Sequence, residues 1–286
     1  MLLPSVWAAD PSAHIPTNTL SGRSAQERAF ELVARRASAT DAVVGSPFGH
    51  PILLSSHTED GVARGEAVAE LDVPMPTLRA VLEHPPRWCE LLLLTPHIGG
   101  CATSGDPLDG RLEVQILSRF DQAADNAARI TFGFARQMSD DQFLALRLNA
   151  AHGPWGTTNY LLDVDVAPVD DRRSVLRVGY AYRYGFQAMA TLGMYLVTSG
   201  RSKHGFSVDA QGRPVRGFRG SVERNVMRYL LAIEAHATMA ELDPEARFQA
   251  SLDRWLEGAD RYPLQIAELD RDRYRRIKLR QFGTVQ

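Results

Sequence analysis

The apolar positions change period twice between residues 156 and 198. Thr158, Tyr160, Leu162, Val164 and Val166 alternate with Asn159, Asp163 and Asp165. A polar link over 168–173 follows, and then Leu176, Val178, Tyr180, Tyr182 and Tyr184 alternate with Arg177 and Arg183. Two period-2 runs joined by a short polar link predict an antiparallel hairpin with one apolar face. From Gly185 the spacing turns helical: Phe186, Met189, Ala190, Gly193 and Val197 share a face. The spacing predicts a long helix over 186–198 with a small-residue stripe to lay on that sheet.

Upstream, 24–38 reads as a helix, 51–56 as a short strand and 65–73 as a half-buried strand, with Ala67, Ala69 and Leu71 against Glu66, Glu70 and Asp72. Pro74 and Pro76 open a short helix that Pro85-Pro86 stops, and 88–94 forms a second short helical piece. Strands are expected at 98–104, 112–118, 128–135 and 142–150. The order is strand, paired short helices, about six strands and a long helix, which excludes a doubly wound parallel sheet.

After Thr198 the character changes. Residues 200–220 read as a loop or hairpin. Residues 221–242 read as a helix with Ser221 as its cap and Glu223 in its first turn, and 247–258 and 261–280 as further helices rich in Arg and Asp. The expected organisation is a lead-in and helix over 10–60, a core over 61–200, and a helical extension over 201–286 packed on it.

Charge removes some functions. A net charge of -2, with 32 basic residues spread among 34 acidic ones, leaves no basic stripe for nucleic acid. No apolar run approaches the roughly 18 residues of a membrane-spanning helix. The first nine residues (MLLPSVWAA) look like the end of a secretory signal, with a small-residue cleavage site at 6–8 and no basic segment before it. The expectation is therefore an exported, periplasmic chain whose precursor begins upstream; the alternative is a cytoplasmic chain with an uninformative start. Cys89 and Cys101 carry the same choice. In an exported chain they pair as a disulfide closing a short loop; in a reducing compartment they are two buried thiols.

The stretches 66–73 and 74–88, the strand series, and the Tyr180–Phe186 run leading into a helix resemble the START-like, helix-grip superfamily (the SRPBCC group) over about half the chain. More narrowly, Trp88-Cys89 with Cys101, the Gly153–Thr157 loop, Gly220–Arg228 and Arg261–Gln265 look like an uncharacterised group of exported bacterial proteins, which brings no activity with it. The resemblance implies an α+β helix-grip fold: a curved antiparallel sheet around a long helix, with a hydrophobic cavity between them. Here an N-terminal helix and a helical C-terminal extension are added, and these are expected to cover the cavity mouth. Fold alone does not choose among lipid carriage, cyclisation and sensing.

The candidate ligand wall is Phe132, Phe134, Tyr160, Tyr180, Tyr182 and Tyr184, facing Met189 and Gly193. Aromatic bodies with polar tips suit an apolar ligand bearing one or two polar groups. Arg136 shares the parity of Phe134, and is read either as an acid anchor at the mouth or as a strand-end residue in water. None of the eight histidines makes an i, i+4 metal pair, and no cofactor is expected. His97 and His152, at strand ends, are candidate bases. There is no Gly-x-Ser-x-Gly elbow. Asp163 and Asp165 fall on the outward parity. Glu223, Arg224, Asn225 and Arg228 form the densest polar cluster, read either as an anion contact or as ion pairs joining the C-terminal helices to the sheet. The favoured function is an exported carrier or sensor of a hydrophobic, lipid-like molecule. An acid–base enzyme of the cyclase type and a ligand-free interaction protein are the alternatives.

Overall fold

The computed structural model describes residues 23–36, 42–43, 45–106, 110–120, 126–190 and 203–283. The possible signal remnant at 1–9 and most of the helix expected over 186–198, including Gly193, lie outside these.

Nine strands form one antiparallel sheet: β1 (Ala42–Val43), β2 (Ile52–Glu59), β3 (Val62–Leu71), β4 (Ile98–Gly105), β5 (Gly110–Ile116), β6 (Ala128–Ser139), β7 (Leu144–His152), β8 (Thr157–Pro168) and β9 (Ser174–Tyr184). Their order is β1-β2-β3-β9-β8-β7-β6-β5-β4. Strands β4 to β9 are a meander, and β9 returns to pair with β3, where Ala67 meets Val178 and Gly65 meets Tyr180. One helix, α1 (Ala25–Arg36), precedes the sheet, and two more, α2 (Met75–Leu82) and α3 (Pro85–Leu93), connect β3 to β4. The first short helix does end just before Pro85, and Pro85 and Pro86 also open α3, because proline's fixed φ and missing N–H suit the first helical turn. Cys89 of α3 and Cys101 of β4 are joined by a disulfide, with Cα atoms 5.1 Å apart.

The helix on the inner face of the sheet is α4 (Gly217–Thr238), and this corrects the assignment of that place to 186–198. The described start of the earlier segment turns Phe186 and Met189 outward, at 84% and 49% exposure. In α4, by contrast, Val222, Val226, Met227, Leu230 and Ile233 are fully buried with the inner residues of β3, β8 and β9. The contact is close: a side-chain carbon on Gly65 would lie 3.2 Å from Val222. Buried Glu223 ties α4 to its surroundings, accepting from Ser56 Oγ of β2, from Ser207 Oγ, and from the Phe206 and Ser207 amides at 2.7 and 3.0 Å. A buried carboxylate supplied with four donors carries little desolvation penalty.

Two further helices, α5 (Pro244–Asp260) and α6 (Arg271–Phe282), start on Asp243 and Asp270, whose carboxylates accept from the backbone three residues on. They pack outside α4, where Trp255 stacks on Tyr274 and Phe248 on Phe282. The N-terminal helix departs from expectation. It does not cover a cavity mouth; it lies on the outer face, with Leu32 against Val68, Phe143, Ala167 and Val175. Arg35 and Arg36 pair there with Glu66 and Glu70. Asp163 and Asp165 are indeed on this outer face, bound to Arg147 at 2.7 Å and Arg177 at 2.8 Å. The architecture is a helix-grip fold, an antiparallel sheet wrapped on a long helix, with one helix added outside the sheet and two outside the gripping helix.

Candidate functional site

A cavity of about 450 Å³ lies between the inner sheet face and the first half of α4. Its aromatic wall is set by a β-bulge. Asn159 and Tyr160 together oppose Tyr182, because the register steps between Thr158 and Leu161. Asn159 takes the left-handed backbone conformation (φ 52°). Such bulges re-aim side chains. This one stacks Tyr160 on Tyr182, with ring centres 5.4 Å apart. Gly153 leaves the room for it, since a side chain there would strike the Tyr160 ring at 2.2 Å.

Polar tips finish this wall. Tyr160 Oη lies 2.7 Å from Thr157 Oγ1. Tyr182 and Ser221 both line the cavity, and Tyr180 meets Tyr229 of α4 edge-on with ring centres 5.5 Å apart. Ser221 is not a helix cap; the helix starts a turn earlier and Ser221 lines the cavity. Burial holds the Tyr160, Tyr180 and Tyr182 phenols above their ordinary range and pushes Tyr229 up to about 12. All four are neutral donors at any physiological pH.

Charged groups share the lining. Arg224, Asn225 and Arg228 of α4 line the cavity together with Glu268 and His97. Arg228 donates from Nη2 to Glu268 and to Ile266 O, the latter at 3.4 Å. Lys203 lies 3.7 Å from the same carboxylate. Burial alone would raise the Glu268 pKa, but Arg228 and Lys203 outweigh it and hold the group below its usual value. Of this cluster, Arg228 joins α4 to the segment before α6 and also borders the cavity.

His97 precedes β4 with a left-handed backbone (φ 64°), and its ring stacks on Phe120. Its Nδ1 is 3.1 Å from Leu117 O. A carbonyl only accepts, so Nδ1 carries the proton and Nε2 keeps a lone pair. Burial, then Arg228, lower its pKa to about 4 despite Glu268. Beneath the site, buried Lys278 donates to Ile98 O at 2.7 Å, and burial lowers its pKa to about 7.

Of the residues expected at the site, Tyr160, Tyr180 and Tyr182 line the cavity. Phe132 packs edge-on against Tyr160, and Tyr184 stacks on Phe218, one step behind the lining. Phe134 is in the core against Trp88. Met189 faces solvent, and its neighbour Ala188 is the lining residue from that segment. Arg136 pairs with Glu83 at 3.2 Å and is not in the wall. His152 is exposed. Sequence reasoning missed Glu268 and Tyr229 as site residues; Glu268 falls in the helix expected over 261–280, which in the fold begins only at Arg271, and the non-helical stretch before it carries Glu268 to Arg228. Among the described residues no group of three or more His, Cys, Asp or Glu side chains is placed to hold a metal, and no helix is long and apolar enough to cross a membrane.

No family model matches the chain, and no curated protein matches it. Among solved structures, it is similar to a conserved protein from Geobacillus kaustophilus, at 12% identity and TM-score 0.37 over 62% of this chain and 96% of that one. A protein from Thermus thermophilus matches at 12% identity and TM-score 0.41, over 63% and 99%. Norcoclaurine synthase from Thalictrum flavum matches at 15% identity and TM-score 0.33, over 51% and 80%. Likenesses this low carry no activity across, and the fold stands on the strand order and gripping helix described above.

Proposed function

We propose that this is an exported protein that carries or senses a hydrophobic, lipid-like small molecule held between the sheet and α4. The observation that carries the reading is the cavity itself: about 450 Å³ bounded by Ile98, Ile116, Ile130 and four tyrosines, with the Tyr160 hydroxyl held by Thr157. Ligand sites combine this kind of apolar wall with a few fixed polar groups. The Cys89–Cys101 bond supports an oxidising compartment. Protein purified from its own host and extracted into organic solvent should release a single class of apolar molecule, near one per chain by mass spectrometry. Clean extracts from protein that also fails to take up an added apolar dye would end the reading.

A second reading, an acid–base enzyme, is favoured by one observation. His97 presents an unprotonated Nε2 beside the Arg228–Glu268 pair, on a backbone conformation of the kind that clusters at functional sites. If His97 is a base, the extracted molecule incubated with protein in D2O gains deuterium at an acidic C–H, and His97→Gln abolishes the exchange without weakening binding. Exchange at the same rate in the variant excludes that role.

A further inference from the structure

Leu117 holds His97 twice. The His97 carbonyl accepts from the Leu117 amide at 2.7 Å, and Nδ1 of the ring lies 3.1 Å from Leu117 O. The two bonds keep the backbone in its left-handed conformation, and the stack on Phe120, with ring centres 4.8 Å apart, sets the plane of the imidazole. A side chain held this firmly has little rotamer freedom left to lose when it meets a partner. The bond to Leu117 O is the one hydrogen bond that the ring makes among the described residues. It uses the proton on Nδ1, so Nε2 keeps its lone pair. His97 lines the cavity, and the acceptor left over is offered to whatever fills that space. A poorly solvated acceptor costs free energy until a donor reaches it.

The charges around the ring decide which donor suits it. Burial lowers the His97 pKa most; of the charged groups facing it, Arg228 of α4 and Lys278 of α6 lower it further, and Glu268 raises it by less than Arg228 lowers it. The ring therefore sits in a net positive field, which repels an ammonium donor. An ionised carboxylate has no proton to share. What remains is a neutral donor, and a hydroxyl adds the least polar surface to an apolar molecule.

We infer that the cavity selects an apolar molecule bearing a neutral hydroxyl, whose O–H donates to Nε2 of His97. This rests on the cavity reading above and deepens it: His97 determines specificity. A site built to pair with a donor rejects the analogue that lacks one, because its own buried polar group is then left unpaired.

The test is displacement of prodan, a neutral fluorescent dye without an N–H or O–H group, by decanol and by methyl nonyl ether. The two compounds are isomers, and only the alcohol carries a donor. Decanol should displace the dye from wild-type protein at a concentration about fivefold or more below the ether, the scale of one hydrogen bond set against an acceptor left unpaired. His97→Phe should erase the difference with the dye still bound, and His97→Gln, which keeps an acceptor, should retain it. In wild-type protein the difference should hold at neutral pH and shrink, with the dye still bound, as the ring takes up its proton near pH 4. Neither compound titrates, so that change belongs to the protein. If His97→Phe does not bind the dye, His97→Gln and the pH series decide. A difference that survives unchanged in His97→Phe, or below about pH 4, overturns the role of His97. Equal displacement from wild-type protein, with the dye bound, overturns the hydroxyl and leaves the cavity standing. A dye that never binds wild-type protein overturns the cavity, and this inference with it.

Discussion

Replacing Phe134 by alanine is expected to remove about 3–5 kcal/mol of stability and to leave ligand affinity unchanged. Phe134 shares the inward parity of Phe132, which makes it a natural candidate for the ligand wall. In the fold it is 1% exposed, opposite Leu148 of β7, and its ring meets Trp88 edge-on with centres 6.4 Å apart. Trp88 cannot move to fill the space, because its Nε1 donates to Leu82 O at 2.6 Å at the end of α2. The truncation therefore leaves a void between the sheet and the α2–α3 pair rather than enlarging the ligand cavity. Urea unfolding gives the loss as a lower midpoint at constant slope, and titration with an apolar dye gives the affinity. A stable variant with weakened binding would put Phe134 in the ligand wall.

Acid should destabilise this protein through His236, and the effect should disappear in His236→Leu. The imidazole is fully buried on α4, and neither ring nitrogen has a hydrogen-bond partner among the described residues. Glu90 lies 3.7 Å away, but both of its oxygens are committed to Arg247, at 2.8 and 2.9 Å. Burial, then Arg247 and Arg87, push the His236 pKa down to about 3. The unfolded chain binds that proton near pH ~6.5. Below that value the unfolded state holds a proton that the native state refuses, so stability falls by about 1.4 kcal/mol per pH unit until roughly pH 3. Above about pH 6.5 the group contributes no slope. Between about pH 6.5 and 4.5 the wild type should lose about 2–3 kcal/mol more than His236→Leu in paired urea titrations. Identical pH dependence would mean that His236 takes up its proton in the fold as readily as in the unfolded chain, and would contradict this account. His97 acts in the same direction, over a window ending near pH 4.

The sheet was legible because one of its faces is buried. Period-2 alternation marked β8 and β9 closely, and it marked Tyr160, Tyr180 and Tyr182 as inward. It did not show the bulge at Asn159, which takes Thr158 out of the parity of Tyr160. The gripping helix was misplaced for a physical reason. The 186–198 stretch has the small residues that suit a close helix–sheet contact, whereas α4 carries Glu223, Arg224, Asn225, Arg228 and Glu234 and reads as a solvated appendage. Four of those polar groups are buried with partners outside their own helix: Ser56 for Glu223, His204 O for Arg224, Glu268 for Arg228, and Arg254 for Glu234. Local patterning cannot show a partner that only the folded chain brings near. His97 was visible as a strand-end histidine, but its neutrality follows from Leu117 and Arg228, which only the fold brings to it.

The most direct test is an experimental structure of the protein bearing its own extracted molecule. The expected result is one molecule between the sheet and α4, its apolar part on Tyr160 and Tyr182. Side chains filling that volume, or a molecule bound elsewhere with the space empty, would contradict it.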